Sequence, residues 1–180
     1  MKRKSVWVLV LAVVGAAFYA GNVLATDPVG GFVGKTLAQA TLPPLDIKAH
    51  TLVPADPSAD RTRARVWETM LKTKDDTDMY VQQNTWPKHS STGWHTHPGP
   101  SLVVIMQGSV TVYDASDPGC APHVYTAGSA DNSFVDIGGG DVHIVRNETD
   151  DVAVGYAVQF VPAHAVRRIT EPQPANCSVS

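Results

Sequence analysis

Short segments rich in β-forming residues, separated by turn formers, dominate the chain from Arg61 onward. They include Val66 to Thr73, Met79 to Trp86, Leu102 to Gln107, Ser109 to Asp114 and Val152 to Phe160. Gly, Pro, Asp and Asn clusters separate them, and no helical period is apparent. Many short strands at regular spacing predict an all-β sandwich or barrel.

Two histidines, His95 and His97, are separated by one residue, and we expect them to lie on a strand. Side chains alternate along a strand, so residues i and i+2 point to the same face. Two imidazoles on an inward face can converge on one metal ion. A third ligand has to come from another strand, and His143, which follows three glycines, is the candidate. Isolated histidines are more often core or surface residues, so neither segment is specific by itself.

Taken together, the two segments resemble the two motifs of the cupins, G-x5-H-x-H-x3,4-E-x6-G and G-x5-P-x-G-x2-H-x3-N. His95, His97 and Gly108 match the first motif, and Gly140, His143 and Asn147 match the core of the second. The resemblance covers residues 93 to 147. It implies a single cupin jelly-roll barrel with one divalent metal ion inside it.

The chain departs from the cupin pattern in both motifs. Ser101 stands where the first motif has glutamate, and Gly138 and Asn132 stand where the second has proline and glycine. Without the glutamate, the resemblance implies a site of three neutral imidazoles, as in thiol dioxygenases and a diketone-cleaving dioxygenase. Such a site leaves the ion its full charge and open positions, which favours an anionic ligand. The ligands do not distinguish Fe, Zn, Mn, Ni or Cu.

Three further residues are candidates for a place beside the metal. Ser101 either hydrogen-bonds a metal-bound water or packs on the barrel wall. Asp141 is the carboxylate nearest in sequence to a ligand, although a place in the turn would keep it away from the metal. Asn147 lies four residues after His143 and is expected to point the same way along the strand.

The N-terminus has the order of a secretory signal peptide. Lys2, Arg3 and Lys4 precede an apolar run, and small or aliphatic residues end it, which predicts cleavage between Ala25 and Thr26. The alternative is an uncleaved anchor, because the run is nearly long enough to span a bilayer. With the signal removed, we expect a secreted or periplasmic protein that does not contact the membrane.

The mature chain is expected to form one domain with two appendages. Residues 26 to 60 are rich in turn formers and predict an arm that packs on a barrel formed by residues 61 to 170. Residues 171 to 180 form a Pro-rich tail. Cys120 and Cys177 make an even pair, which in an oxidising compartment indicates a disulfide that ties this tail back. Two buried free thiols are the alternative.

These features leave three hypotheses for the function. The first is an oxygenase-like metalloenzyme acting on a small organic anion, and it lacks an evident general acid or base. The second is a metal-dependent protein that binds a small ligand such as a sugar derivative, and the third is a structural cupin. A net charge of −3 gives no basic patch, which argues against nucleic acid as a partner. Cupins often pair, so a homodimer is compatible with the sequence.

Overall fold

The computed structural model describes residues 25 to 53 and 65 to 179. The segment expected to be a signal peptide lies outside these residues, apart from its last position. Twelve β-strands form the described chain: β1 (Val33–Leu42), β2 (Asp46–Val53), β3 (Arg65–Lys72), β4 (Thr77–Trp86), β5 (His95–Thr96), β6 (Ser101–Gln107), β7 (Ser109–Asp114), β8 (His123–Thr126), β9 (Ser133–Asp136), β10 (His143–Arg146), β11 (Ala153–Pro162) and β12 (Ile169–Thr170).

The strands form two antiparallel five-stranded sheets and a separate hairpin. The first sheet has the order β1-β4-β11-β6-β9 and the second the order β12-β5-β10-β7-β8, while β2 pairs only with β3. Strands β4 to β11 pass back and forth between the two sheets, which is the connectivity of a jelly roll. The chain is therefore an all-β jelly-roll barrel.

The main core lies between the two sheets, and it forms because apolar residues alternate along the strands. On β6, Val103 and Ile105 point inward, whereas Leu102 and Val104 are exposed. Trp86 is almost fully buried in the same core. Burying each such side chain contributes roughly 1.5–3 kcal/mol.

A second, smaller apolar cluster covers the outer face of the second sheet. Cys120 and Cys177 form the expected disulfide, with their Cα atoms 5.2 Å apart. The bridge packs with Trp94 and Ile144, which lie next in sequence to His95 and His143. It therefore holds the C-terminal tail against the backs of the two strands that carry these histidines.

The segment that we expected to be an arm contributes strands of its own. Strand β1 pairs with β4 along its length and forms the edge of the first sheet. Strand β2 pairs with β3, which lies beyond residue 60, where we expected the barrel to begin. The division at that residue stays a prediction.

Candidate metal centre

The three predicted histidines converge on the inner face of the second sheet. His95 on β5 and His143 on β10 are direct partners in the antiparallel ladder. Their ring centroids are 4.4 Å apart, and that of His97 lies 4.8 Å from His95. The nitrogens that can bind a metal all lie within 4.8 Å of one another. The group could hold a metal ion.

Backbone carbonyls orient two of the three rings. His95 Nδ1 lies 2.8 Å from the carbonyl oxygen of Gly93, and His97 Nδ1 lies 2.6 Å from that of Arg167. A carbonyl oxygen only accepts, so each Nδ1 carries the proton and each Nε2 presents a lone pair. Metal-binding histidines are commonly oriented in this way, by a hydrogen bond from the ring nitrogen that does not bind the metal.

Burial keeps these rings neutral. It holds the pKa of His95 well below the ordinary value of 6.5, and the nearby His143 and His97 lower it further. Burial also lowers the pKa of His97, although the Arg167 carbonyl and Asp136 act in the opposite direction. Neutral imidazole is the form that binds metals, so these residues fit a metal ion at neutral pH.

The lowered pKa values predict that the metal-free protein loses stability on acidification. The unfolded chain takes up protons near the ordinary pKa of 6.5, whereas folded His95 and His97 resist protonation. The two residues therefore do not change the free energy of unfolding above that pH, and they lower it as the pH falls from 6.5 toward the folded pKa values. Urea unfolding of chelator-treated protein at about pH 7.5 and about pH 5.5 measures the difference. Equal stability at both values would contradict the prediction.

The histidines lie at the polar end of a cavity of about 260 Å³. Apolar side chains form the other end, where the cavity reaches the core between the sheets: Phe32, Trp86, Val103, Phe134, Val145 and Ala157. The polar end contains the following hydrogen-bonding and charged side chains: Gln82, Asn84, Ser101, Asp136, Gln159, Arg167 and Arg168. A ligand of matching chemistry has one charged or polar end and a short apolar part.

Arg167 brings a positive charge into this cavity. Its guanidinium stacks on the ring of Tyr80 at 3.8 Å and donates to Gln159 Oε1 at 3.0 Å and Gln82 Oε1 at 2.6 Å. It also donates to the hydroxyl of Thr36. All of these partners are neutral, and no carboxylate of the described chain forms an ion pair with Arg167. The carbonyl oxygen of this residue also orients His97, which joins the cationic group to the histidine cluster.

Of the three residues expected near the metal, one lines the cavity. Ser101 is buried there and accepts a hydrogen bond from Gln159 at 3.1 Å. Asp141 is not part of the cavity wall. Burial and the neighbouring Asp114 raise the pKa of its carboxyl group.

Asn147 follows β10, and its side chain forms hydrogen bonds with the backbone of a loop instead of lining the cavity. Its amide donates to the carbonyl oxygens of Trp86 and Asp151, and its side-chain oxygen accepts from the backbone N–H of Thr149. Alternation along β10 does place Asn147 inside the protein, but at the end of the barrel beside Trp86. Asn147 is not among the residues of the cavity wall, and its place beside the metal ligands stays a prediction.

Asp136 and Arg167, which bring opposite charges into the cavity, were not found from the sequence. Asp136 ends β9 and lies within the second motif, two residues before Gly138. A carboxylate inside that motif could have been considered as a site residue from the sequence. Arg167 follows β11 in a turn without any distinctive pattern. Both reach the histidines only through the pairing of distant strands.

Comparisons with known proteins found partial similarity to solved structures. No protein-family model matches the sequence, and no curated protein sequence matches it. A cupin-like protein from Thermotoga maritima is 16% identical with a TM-score of 0.42, and the match covers 53% of this chain and 65% of that one. A conserved protein with a double-stranded β-helix domain from Klebsiella pneumoniae is 15% identical with a TM-score of 0.41, covering 52% and 75%.

An oxalate oxidase structure is also similar, at 19% identity and a TM-score of 0.39. That match covers 47% of this chain and 46% of the oxidase, so the chain spans about half of its length. The strand order is that of a jelly roll, and the three histidines lie together on the inner face of its second sheet, as the resemblance of the two motifs to the cupins implies.

Proposed function

We propose that the protein binds one divalent metal ion through His95, His97 and His143 and acts as an oxygenase-like metalloenzyme on a small organic anion. The observation that carries this proposal is the joint presence, in one cavity, of the histidine cluster and a cationic Arg167 without a carboxylate partner. Neutral imidazoles suit a transition metal, and the guanidinium suits the anionic group of a substrate.

The hydrogen bonds of Arg167 support its role in substrate recognition. A guanidinium carries five N–H groups, and the described neighbours use one on each nitrogen, which is three in all. The other two N–H groups have no hydrogen-bond partner among the described residues and are available to a ligand. Gln82 and Gln159 hold the guanidinium plane in place, so little conformational freedom is lost when an anion binds.

The size and lining of the cavity limit the substrate class. A volume of about 260 Å³ lies below the range of roughly 300–1,000 Å³ that is usual for drug-sized ligands. The apolar wall around Trp86, Val103 and Phe134 excludes water from the far end. We expect a small carboxylate, enolate or thiolate with a short apolar part.

A bound divalent ion would supply Lewis acidity and open positions at which an anionic group of the substrate can bind. The chain's residues would do the rest. His95 and His97 keep their Nε2 atoms unprotonated, Arg167 binds and orients the anionic group, and the apolar wall keeps water away. The three imidazoles suit iron, zinc, nickel or copper, and manganese also stays a candidate.

Binding without turnover is the second candidate, and the composition of the cavity wall favours it. Among the described residues that line the cavity there is no Tyr, Lys or Glu, so few groups are available for proton transfer. A metal-dependent protein that captures a small ligand, such as a sugar derivative, or a structural cupin would need none.

Oxygen uptake by iron-loaded protein distinguishes these candidates. The panel should contain small carboxylates, diketones and thiols, together with sugar acids. Oxygen consumption that depends on one of these compounds and stops when a chelator removes the metal supports the enzyme. Saturable binding of a compound without oxygen consumption supports the ligand-binding protein. A metal-dependent rise in melting temperature without ligand binding or oxygen consumption supports the structural cupin.

Replacing the guanidinium tests anion recognition separately. Arg167→Gln should weaken the binding of azide or a small carboxylate to metal-loaded protein by about tenfold or more, because it removes a charge-assisted pair worth roughly 1.5–3 kcal/mol. Metal affinity should change little, since the carbonyl that orients His97 belongs to the backbone. Titration calorimetry measures both constants.

Lys35→Gln is the matched control for this variant, because it removes a positive charge from the exposed strand β1. It should leave anion binding unchanged. Equal anion affinity in Arg167→Gln and the unmodified protein would exclude Arg167 as the recognition group.

We also propose that the protein is exported and acts outside the cytoplasm. The Cys120–Cys177 disulfide supports this, because such bonds persist in oxidising compartments. No helix among the described residues is long and apolar enough to cross a bilayer.

A homodimer is a further proposal. Exposed apolar residues on the outer faces of β1 and β6, such as Leu37 and Met106, are compatible with it.

A further inference from the structure

A carboxylate reaches the cavity from the strand beside the one that lacks the motif glutamate. Ser101, at the glutamate position on β6, pairs directly with Asp136 on β9. Both side chains are buried and line the cavity, and Asp136 is 7% exposed. Asp136 is the only carboxylate among the described residues of the cavity wall.

One oxygen of this carboxylate is held in place and the other has no partner. Asp136 Oδ1 accepts the backbone N–H of Gly138 at 2.8 Å. Gly138 has φ +65°, and a Cβ there would collide with the backbone of Gly99, so the turn that supplies this donor requires glycine. Oδ2 is buried and has no hydrogen bond among the described residues. It lies 3.6 Å from Nε2 of His97.

The contact between Asp136 and His97 is not a hydrogen bond. Nδ1 of His97 donates to a carbonyl oxygen, so Nε2 is the nitrogen that faces the carboxylate. Their separation of 3.6 Å exceeds the range of a hydrogen bond. Asp136 Oδ2 is therefore a buried carboxylate oxygen without a hydrogen bond, which costs free energy unless a cation lies beside it.

A shared metal ion accounts for this spacing. Two donor atoms at about 2.1 Å from one ion are about 3.4 Å apart at a tetrahedral angle and about 3.6 Å apart at 120°. Nδ1 of His143 is likewise buried without a partner, 3.8 Å from Asp136 Oδ1. The two buried atoms without a hydrogen bond, Asp136 Oδ2 and His143 Nδ1, therefore belong to neighbouring side chains of the site.

We propose that Asp136 is the fourth protein ligand of the metal, beside His95, His97 and His143. This rests on the proposed metal site and changes its charge. The carboxylate takes over the role of the motif glutamate from a neighbouring strand and offsets one positive charge of the ion. The attraction of an anionic substrate then depends more on Arg167 than three neutral imidazoles alone would require.

The test is Asp136→Asn, which keeps the shape of the side chain and an acceptor for Gly138 but removes the charge. We expect the dissociation constant for Zn²⁺ to rise by about 10- to 100-fold or more, as removing a partner of a metal site does. The visible spectrum of the Co²⁺-loaded protein should also change, because one ligand is altered.

Thermal unfolding supplies a readout that needs no activity. The melting temperature of the metal-free variant should equal or exceed that of the unmodified protein, since a buried carboxylate oxygen without a partner has been neutralised. With saturating Zn²⁺ the order should reverse. Asp141→Asn is the matched control, because this carboxylate also lies in the second motif but outside the cavity wall, and it should leave Zn²⁺ affinity unchanged.

Other outcomes would overturn the assignment. If Asp136→Asn lowers the melting temperature equally with and without Zn²⁺ and keeps the affinity, Asp136 only supports the turn at Gly138. If the affinity is kept but turnover is lost, Asp136 transfers protons. Should the unmodified protein bind no metal, the proposed function itself fails.

A measurement on the unmodified protein covers the case in which Asp136→Asn does not fold. Protein labelled with ¹³C at the aspartate carboxyl carbons should show a shifted carboxylate stretch in the infrared difference spectrum when Zn²⁺ is added. The absence of any aspartate shift on Zn²⁺ binding would overturn the proposal.

Discussion

His143→Ala should raise the dissociation constant for Zn²⁺ or Co²⁺ by more than about 100-fold, beyond what loss of an outer partner of a metal site costs. His143 is the only one of the three histidines that comes from β10, and it lies opposite His95 in the ladder. Without it, the two remaining imidazoles come from one short segment. Competition with a chelating dye, followed by absorbance, measures the change.

A matched control separates ligand loss from the general effect of removing a histidine. His123→Ala removes an exposed ring on β8 that pairs with Asp117 at the surface. It should keep full metal affinity. If His143→Ala also keeps full metal content while remaining folded, the second motif has been misinterpreted and the proposed metal site fails.

Replacing Cys120 and Cys177 with serine should lower the free energy of unfolding by about 4 kcal/mol. The bridge closes a loop of 57 residues, and this figure follows from the entropy that such a loop removes from the unfolded chain. The loss adds to weaker packing on Trp94, which the bridge covers. Urea unfolding at a fixed metal concentration measures it.

The unmodified protein treated with a reducing agent is the control for this double variant. It keeps the cysteines but loses the cross-link, so its free energy of unfolding should fall by a similar amount. A change below about 1 kcal/mol in both samples would show that the tail contributes little stability, since loops of this length are expected to give several times more. Loss in the serine variant alone would assign the effect to packing.

Local patterns in the sequence predicted several of the strands, and the two motifs that resemble those of the cupins predicted the histidine cluster. The segments expected at residues 66 to 73, 79 to 86 and 102 to 107 correspond to β3, β4 and β6 within a few residues. Alternation of side chains determines which residues share a face, and this property does not depend on strand pairing. For the same reason His95 and His97 could be assigned to one face before the fold was known.

Strand β1 was not predicted from local sequence patterns. Its side chains are exposed except at the last position, so no buried face distinguishes it. The turn formers on either side of it predicted an arm that packs on the barrel, and pairing with β4 makes this part of the chain an edge strand. Backbone hydrogen bonds to a neighbouring strand leave little trace in the side chains of an exposed edge.

The sequence by itself determined the all-β class and the cysteine pair, because they follow from local spacing or from counting, and the resemblance of its two motifs to the cupins indicated the three histidines. Only the tertiary structure placed Asp136 opposite Ser101, since the register between β6 and β9 is not encoded in either strand alone. It likewise brought Arg167 against Gln82 and Gln159. The histidine cluster could therefore be predicted from two sequence motifs, whereas the charged groups around it depend on contacts between residues far apart in sequence.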